Sequence, residues 1–170
     1  SCNYSEELAA LVDRIAKLVS DVVDSDSEGY FSTFTLQNYP HLRFGENGGD
    51  LLWSHDIYNM GTLIEAAVSH YNATKETFFL KRAVKVANNL CSHIGEPPKK
   101  RIIPGHSLAE EAMVKLYCLL KDDDVLKDFV KENNVNFADY LELADFWYRR
   151  RGTGVKASHD PDFLSKCDHI

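Results

Sequence analysis

No stretch of this chain approaches the ~20 consecutive apolar residues a membrane-spanning helix needs, so a membrane partner is not expected. Basic residues are outnumbered: 19 Lys and Arg stand against 26 Asp and Glu, for a net charge of −7. The two short basic runs, Lys99-Lys100-Arg101 and Arg149-Arg150-Arg151, read as solvated charges at loops or helix ends. A nucleic-acid partner is therefore not expected, since that function needs a basic footprint with readout elements. The four cysteines, Cys2, Cys91, Cys118 and Cys167, contain no CxxC pair. Cys91 and Cys118 fall within helical patterns as small core residues, and nothing demands a Cys2–Cys167 disulfide. His159, Cys167 and His169 match no standard zinc spacing, so no metal site is expected in this chain. The opening SCNYSEELAA lacks the basic and apolar regions of a signal peptide. A removed leader would leave the same start, so the compartment stays open.

What is present suits one globular domain over residues 1–170, with 44% hydrophobic and 26% charged residues. The organising stretch is Trp53 to Tyr71. Ile57, Met60, Ile64, Val68 and Tyr71 recur at the three-and-four spacing of a buried helix stripe. His55, Tyr58, Asn59, Thr62 and Glu65 form a second stripe, polar yet uncharged apart from Glu65. Neutral donors and acceptors beside an aromatic ring suit a polyhydroxylated ligand such as a sugar. The plainer reading makes His55 an N-terminal cap and leaves Asn59 and Thr62 bonding neighbouring helices.

Ser5 to Val23 reads as an amphipathic helix capped by Ser5, with Leu8, Leu11, Val12, Ile15, Leu18, Val19, Val22 and Val23 as its apolar stripe. Tyr30 to Leu36 alternates and is rich in aromatic and β-branched residues, which predicts a short extended segment. A long loop from Pro40 to Gly49 follows, before the second main helix. The next helix carries Phe79, Ala83, Val86, Ala87, Leu90 and Ile94 inward and stops at Gly95-Glu96-Pro97-Pro98. Ser107 and Glu110 form a capping-box pattern, with His106 at the helix mouth and Ala109, Met113, Leu116 and Leu120 facing the core. Asp122 to Asp124 cap a shorter helix. The last helix spans Asn136 to Arg149, with Phe137, Tyr140, Leu141, Ala144, Trp147 and Tyr148 inward.

An internal echo orders these helices. Glu65-Ala66-Ala67-Val68 and Tyr71 match Glu111-Ala112-Met113-Val114 and Tyr117 at an offset of 46 residues, as Leu80-Lys81 matches Leu126-Lys127. Each copy is an αα-hairpin, and hairpins at this period stack into an array or close into a toroid. The long loop fits an (α/α) toroidal enzyme better than a HEAT-like or TPR-like array.

Three blocks together resemble glycoside hydrolase family 127, which includes β-L-arabinofuranosidases. Glu28-Gly29-Tyr30-Phe31-Ser32-Thr33 is similar to the family's D-G-Y-L-N-T. His55-Asp56-Ile57-Tyr58 with Gly61-Thr62-Leu63-Ile64-Glu65-Ala66-Ala67-Val68 is similar to H-E-L-Y…G-H-L-I-E-A-A-V. Pro104-Gly105-His106 with Glu110, Ala112, Val114, Lys115, Leu116 and Tyr117 is similar to P-G-H-P-E-I-E-L-A-L-V-K-L-Y. The resemblance implies an all-α fold, part of an (α/α)6 barrel, with His55 and His106 at a sugar pocket. Tyr30 and Tyr58 would supply stacking or hydroxyl contacts, although either fits the core. Asp168-His169 resembles the start of D-H-x-P-V and implies a third pocket histidine.

Thr62 replaces a family histidine, and Ser107-Leu108 stands where the family has Pro-Glu. The family's zinc-held cysteine nucleophile and glutamates are implied to lie beyond Ile170, and Cys91 and Cys118 do not match that cysteine. No catalytic residue is assigned. Asp56 and Glu110 are pocket carboxylates without a defined pair, and equally a first-turn residue and a capping partner. The reading is an N-terminal barrel segment binding a terminal L-arabinofuranoside through His55, Tyr58, His106, Tyr30, Glu110 and His169, without its own nucleophile or cofactor. Its rival is a non-catalytic helical module that binds carbohydrate or protein. A cut barrel would expose an apolar edge, so self-association is expected.

Overall fold

The computed structural model describes residues 5–48 and 55–151. Seven α-helices carry these residues: α1 Glu6–Ser25, α2 Thr33–Asn38, α3 Asp56–Thr74, α4 Phe78–His93, α5 Leu108–Asp122, α6 Lys127–Glu132 and α7 Ala138–Arg150. Short 3-10 turns cover Pro40–Gly48 and Asp124–Leu126. No described helix is long and apolar enough to cross a membrane.

The inner layer is the pair α3 and α5, which run parallel. The rungs between them keep sequence order: Gly61 against Ala109, Glu65 bonded to Lys115, and Tyr71 Oη donating to Asp123 over 3.0 Å. Helices α4 and α7 return behind α3 and α5, and Tyr140 Oη on α7 donates to Asn88 on α4 over 2.7 Å. Parallel inner helices with return helices outside are what two stacked αα-hairpins produce.

The expected apolar stripes of α3, α4 and α5 are buried in one core with Tyr30, Leu126 and Trp147. Trp147 satisfies its indole N–H on the Ile102 carbonyl, 3.0 Å away. The second return helix differs from expectation. Leu126-Lys127 opens only the short α6, and α7 supplies the packed partner of α5.

Several local expectations are corrected. Tyr30 to Leu36 is irregular only to Ser32, whose backbone is extended; its hydroxyl accepts from the Thr35 N–H and starts α2. A serine cap here overrides the β-branched alternation. Pro40–Gly48 is a 3-10 turn and not an irregular loop. On α7, Leu143 and Phe146 point inward while Leu141 and Tyr148 are exposed, because the buried stripe is phased on Tyr140, Ala144 and Trp147.

The largest correction concerns α1. Ser5 caps it as expected, accepting from the Leu8 N–H at 3.3 Å. Yet Leu8, Leu11, Val12, Ile15 and Leu18 are 42–60% exposed. The helix rests on α4 through Ala16, Ser20 and Val23. Polar ties set that rotation: Asp13 to His70 at 3.1 Å, Asp24 to Arg82, and Lys85 Nζ to the Val23 carbonyl at 3.2 Å. Lys85 thereby satisfies a terminal carbonyl that the helix cannot.

Candidate functional site

His55 and His106 meet at the N-terminal ends of α3 and α5. Their rings are nearly parallel, 17° apart, with centroids 5.6 Å from each other. Tyr58 stands edge-on to both, 5.3 Å from the His106 ring and 6.1 Å from the His55 ring. Tyr58 and His106 are exposed and His55 half-buried, so the cluster opens to solvent. Side chains 51 positions apart in sequence are brought together because their helices are parallel.

His55 occupies the cap position of α3 in the left-handed region, with φ 55° and ψ 30°. It makes no side-chain cap bond, so the predicted capping role is backbone only. Its carbonyl accepts from Asn59 N–H over 2.8 Å. Such a backbone costs a non-glycine residue about 1–2 kcal/mol and persists where its surroundings impose it. The adjoining Asp56 is buried, and its carboxylate accepts from Tyr30 Oη and from Thr35 Oγ1, the latter at 2.8 Å.

Tyr30 is therefore not a pocket wall. It is fully buried, stands edge-on to Phe44 at 4.9 Å, and lies beneath the Arg43 guanidinium. Burial, with the Asp56 charge beside it, pushes its phenol well above the ordinary range and keeps it a donor. The family-like block marked Tyr30 without telling core from surface.

Glu110 also departs from expectation. Ser107 makes no capping bond, so the capping box is not formed. Glu110 Oε1 instead accepts from Arg151, whose Nη1 donates to the Pro104 carbonyl over 2.9 Å. Each partner is only 13% exposed. Among the described residues, the buried Glu110 Oε2 has no hydrogen-bond partner. Arg151, read from sequence as a solvated charge, thus anchors the Pro104-Gly105-His106 loop. The lone Gly61 inside a helical pattern was the available signal for close helix contact.

The rest of the polar stripe is used elsewhere. Glu65 bonds Lys115, and Thr62 Oγ1 returns to the Tyr58 carbonyl at 3.0 Å. His169 and Trp53 lie outside the described residues. Among the described residues no group of three or more His, Cys, Asp or Glu is arranged to hold a metal ion. Burial, with Asp139 nearby, pushes the Cys91 thiol up to about 12, which suits a core residue and not a thiolate nucleophile. A separate cavity of about 600 Å3, lined in part by Cys91, Glu96, Glu142 and Arg150, shares no residue with the imidazole cluster.

Stacked αα-hairpins with parallel inner helices are the architecture of a segment of an (α/α) toroid. The model of the β-L-arabinofuranosidase GH127 catalytic domain matches residues 2–166. The chain belongs to glycoside hydrolase family 127. A non-reducing end β-L-arabinofuranosidase of Bifidobacterium longum subsp. longum is 34% identical over 116 residues, 65% of this chain and 17% of that protein. The solved GH127 β-arabinofuranosidase BT3674 superposes with a TM-score of 0.69 at 30% identity, over 92% of this chain and 24% of its own. The chain thus spans less than a quarter of either relative.

Proposed function

We propose that this chain forms part of the sugar-binding wall of a β-L-arabinofuranosidase-like glycoside hydrolase, contacting a terminal L-arabinofuranoside through His55, Tyr58 and His106. The carrying observation is the stacked imidazole pair with one tyrosine edge across both rings. Each imidazole nitrogen donates or accepts according to tautomer, and the phenol does both, which suits vicinal hydroxyls. By the family resemblance, His169 would supply a third imidazole. The convergence of His55 and His106 favours this reading over a protein-interaction scaffold, which has no use for a shared imidazole face.

Glycoside hydrolysis needs two groups flanking the bond. Asp56 is committed to Tyr30 and Thr35, and Glu110 to Arg151, so the described residues bind and orient without cleaving. Self-association of the chain would use the exposed α1 stripe, and sedimentation equilibrium showing a monomer at all concentrations would remove it.

Calorimetric titration with L-arabinose tests the binding reading. His106→Ala is expected to weaken the affinity by about 1 kcal/mol, the worth of a lost hydrogen bond. No heat at millimolar sugar would overturn the saccharide reading. Robust turnover of an aryl β-L-arabinofuranoside, abolished by His106→Ala, would overturn the assignment of binding alone.

A further inference from the structure

We infer that Tyr30, Thr35 and Asp56 are positioning residues that hold His55 in its left-handed turn and so set its spacing to His106. The purpose of that spacing rests on the proposed sugar face, while the mechanism rests on geometry alone. His55 adopts a backbone unfavourable to any residue with a Cβ, and its neighbour Asp56 is pinned from outside the helix. The pins come from 26 and 21 positions upstream, through the Tyr30 phenol and the Thr35 hydroxyl.

Those two donors are themselves fixed. Thr35 is the third residue of α2, and its hydroxyl also accepts from Ser32 Oγ at 3.2 Å. The Tyr30 N–H donates to Asp26 Oδ1 at 2.9 Å, and Asp26 is paired with Arg43 at 2.6 Å. Asp56 therefore cannot turn toward solvent without leaving two buried O–H donors without their acceptor, a loss that outweighs the backbone strain at His55. Asp56 is the first residue of α3 and the His55 carbonyl is bonded to Asn59, so the left-handed residue stands directly beside the pinned carboxylate. The first two blocks of family-like sequence are thus joined through Tyr30 and Asp56, with Thr35 just beyond the first block adding the second donor.

The test uses an isosteric pair on the whole chain, read by NMR without sugar. Thr35→Val removes the hydroxyl and keeps the shape, whereas Thr35→Ser keeps the hydroxyl. Thr35→Val is expected to abolish the nuclear Overhauser contact between the His55 and His106 rings and to shift the His55 backbone coupling away from its left-handed value. Thr35→Ser should restore both. Tyr30→Phe, which deletes the other donor, should repeat the loss. His70, which contacts Asp13, Phe78 and Phe79 and none of these residues, serves as the internal control and should not move. If Thr35→Val and Tyr30→Phe lower the melting temperature but leave the ring contact and the His55 coupling intact, the residues are merely structural and the inference fails. Because no sugar is present, that failure is separable from failure of the saccharide reading.

Discussion

A Cβ placed on Gly61 would lie 2.9 Å from the Cα of Ala109, so α3 and α5 touch backbone to backbone near the ends that carry His55 and His106. Ala109 Cβ is scarcely farther, at 3.2 Å, and neither atom belongs to a flexible side-chain tip. The close approach is what allows two imidazoles on separate helices to stack.

Gly61→Ala sets two effects against each other. Alanine gains about 1 kcal/mol of helix propensity over glycine, whereas forcing a methyl into a closed backbone contact costs about 1–3 kcal/mol. The obstructing atom is backbone, so overpacking should win. Urea denaturation should show a net loss of about 1 kcal/mol, and a more stable variant would show that the helices separate freely.

The Arg151–Glu110 pair should matter more than the exposed Lys127–Asp124 pair, because both partners are mostly buried and Arg151 also holds the Pro104 carbonyl. Arg151→Met is expected to cost about 3 kcal/mol by stranding a buried carboxylate. Lys127→Met should leave stability essentially unchanged, because the pair is solvent-screened. Equal small losses in chemical denaturation would mean the loop before α5 is not anchored there.

Acid should expose the role of Asp26. Burial opposes its ionisation, but the Tyr30 N–H, the Arg43 guanidinium and the Glu28 N–H outweigh that and hold the carboxyl below its ordinary value of 3.8. A depressed folded value means the stabilisation is fully present above 3.8 and is lost as pH falls through the folded value. Unfolding followed from neutral pH downward should therefore be flat until that region and then steepen. Asp26→Asn should remove part of the steepening, and an unchanged acid limb would contradict the assignment.

The rotation of α1 gives the fourth expectation. Leu11→Gln and Leu18→Gln should each change stability by less than about 0.5 kcal/mol, as exposed positions do. Val23→Ala, on the buried face, should cost about 1–3 kcal/mol. Large losses at Leu11 or Leu18 in denaturant titrations would place that stripe in a core.

These contrasts show where residue patterns were readable. Met60, Ile64 and Tyr71, like Ala83 and Leu90, announced their burial because apolar periodicity and packing agreed over several turns. His55 and His106 were legible as a pair through the family-like blocks, with each helix start supplying a position. Leu8 to Leu18 misled because periodicity reveals a stripe and not what covers it; Asp13, Asp24 and Lys85 decided the rotation through contacts dozens of positions away. Glu110 misled for a related reason. Its local partner Ser107 lost to Arg151, a competitor that no short-range pattern could nominate. Tyr30 and Asp56 were seen separately, and only the folded chain joins them.

The central claim is that His55 and His106 form one ligand face. The most direct measurement is a titration of the labelled chain with L-arabinose, following both imidazole ring resonances. The two are expected to move together along a single binding curve, with Tyr58 following and His70 unmoved. Resonances of His55 and His106 that stay still, or that respond along separate curves, would contradict it.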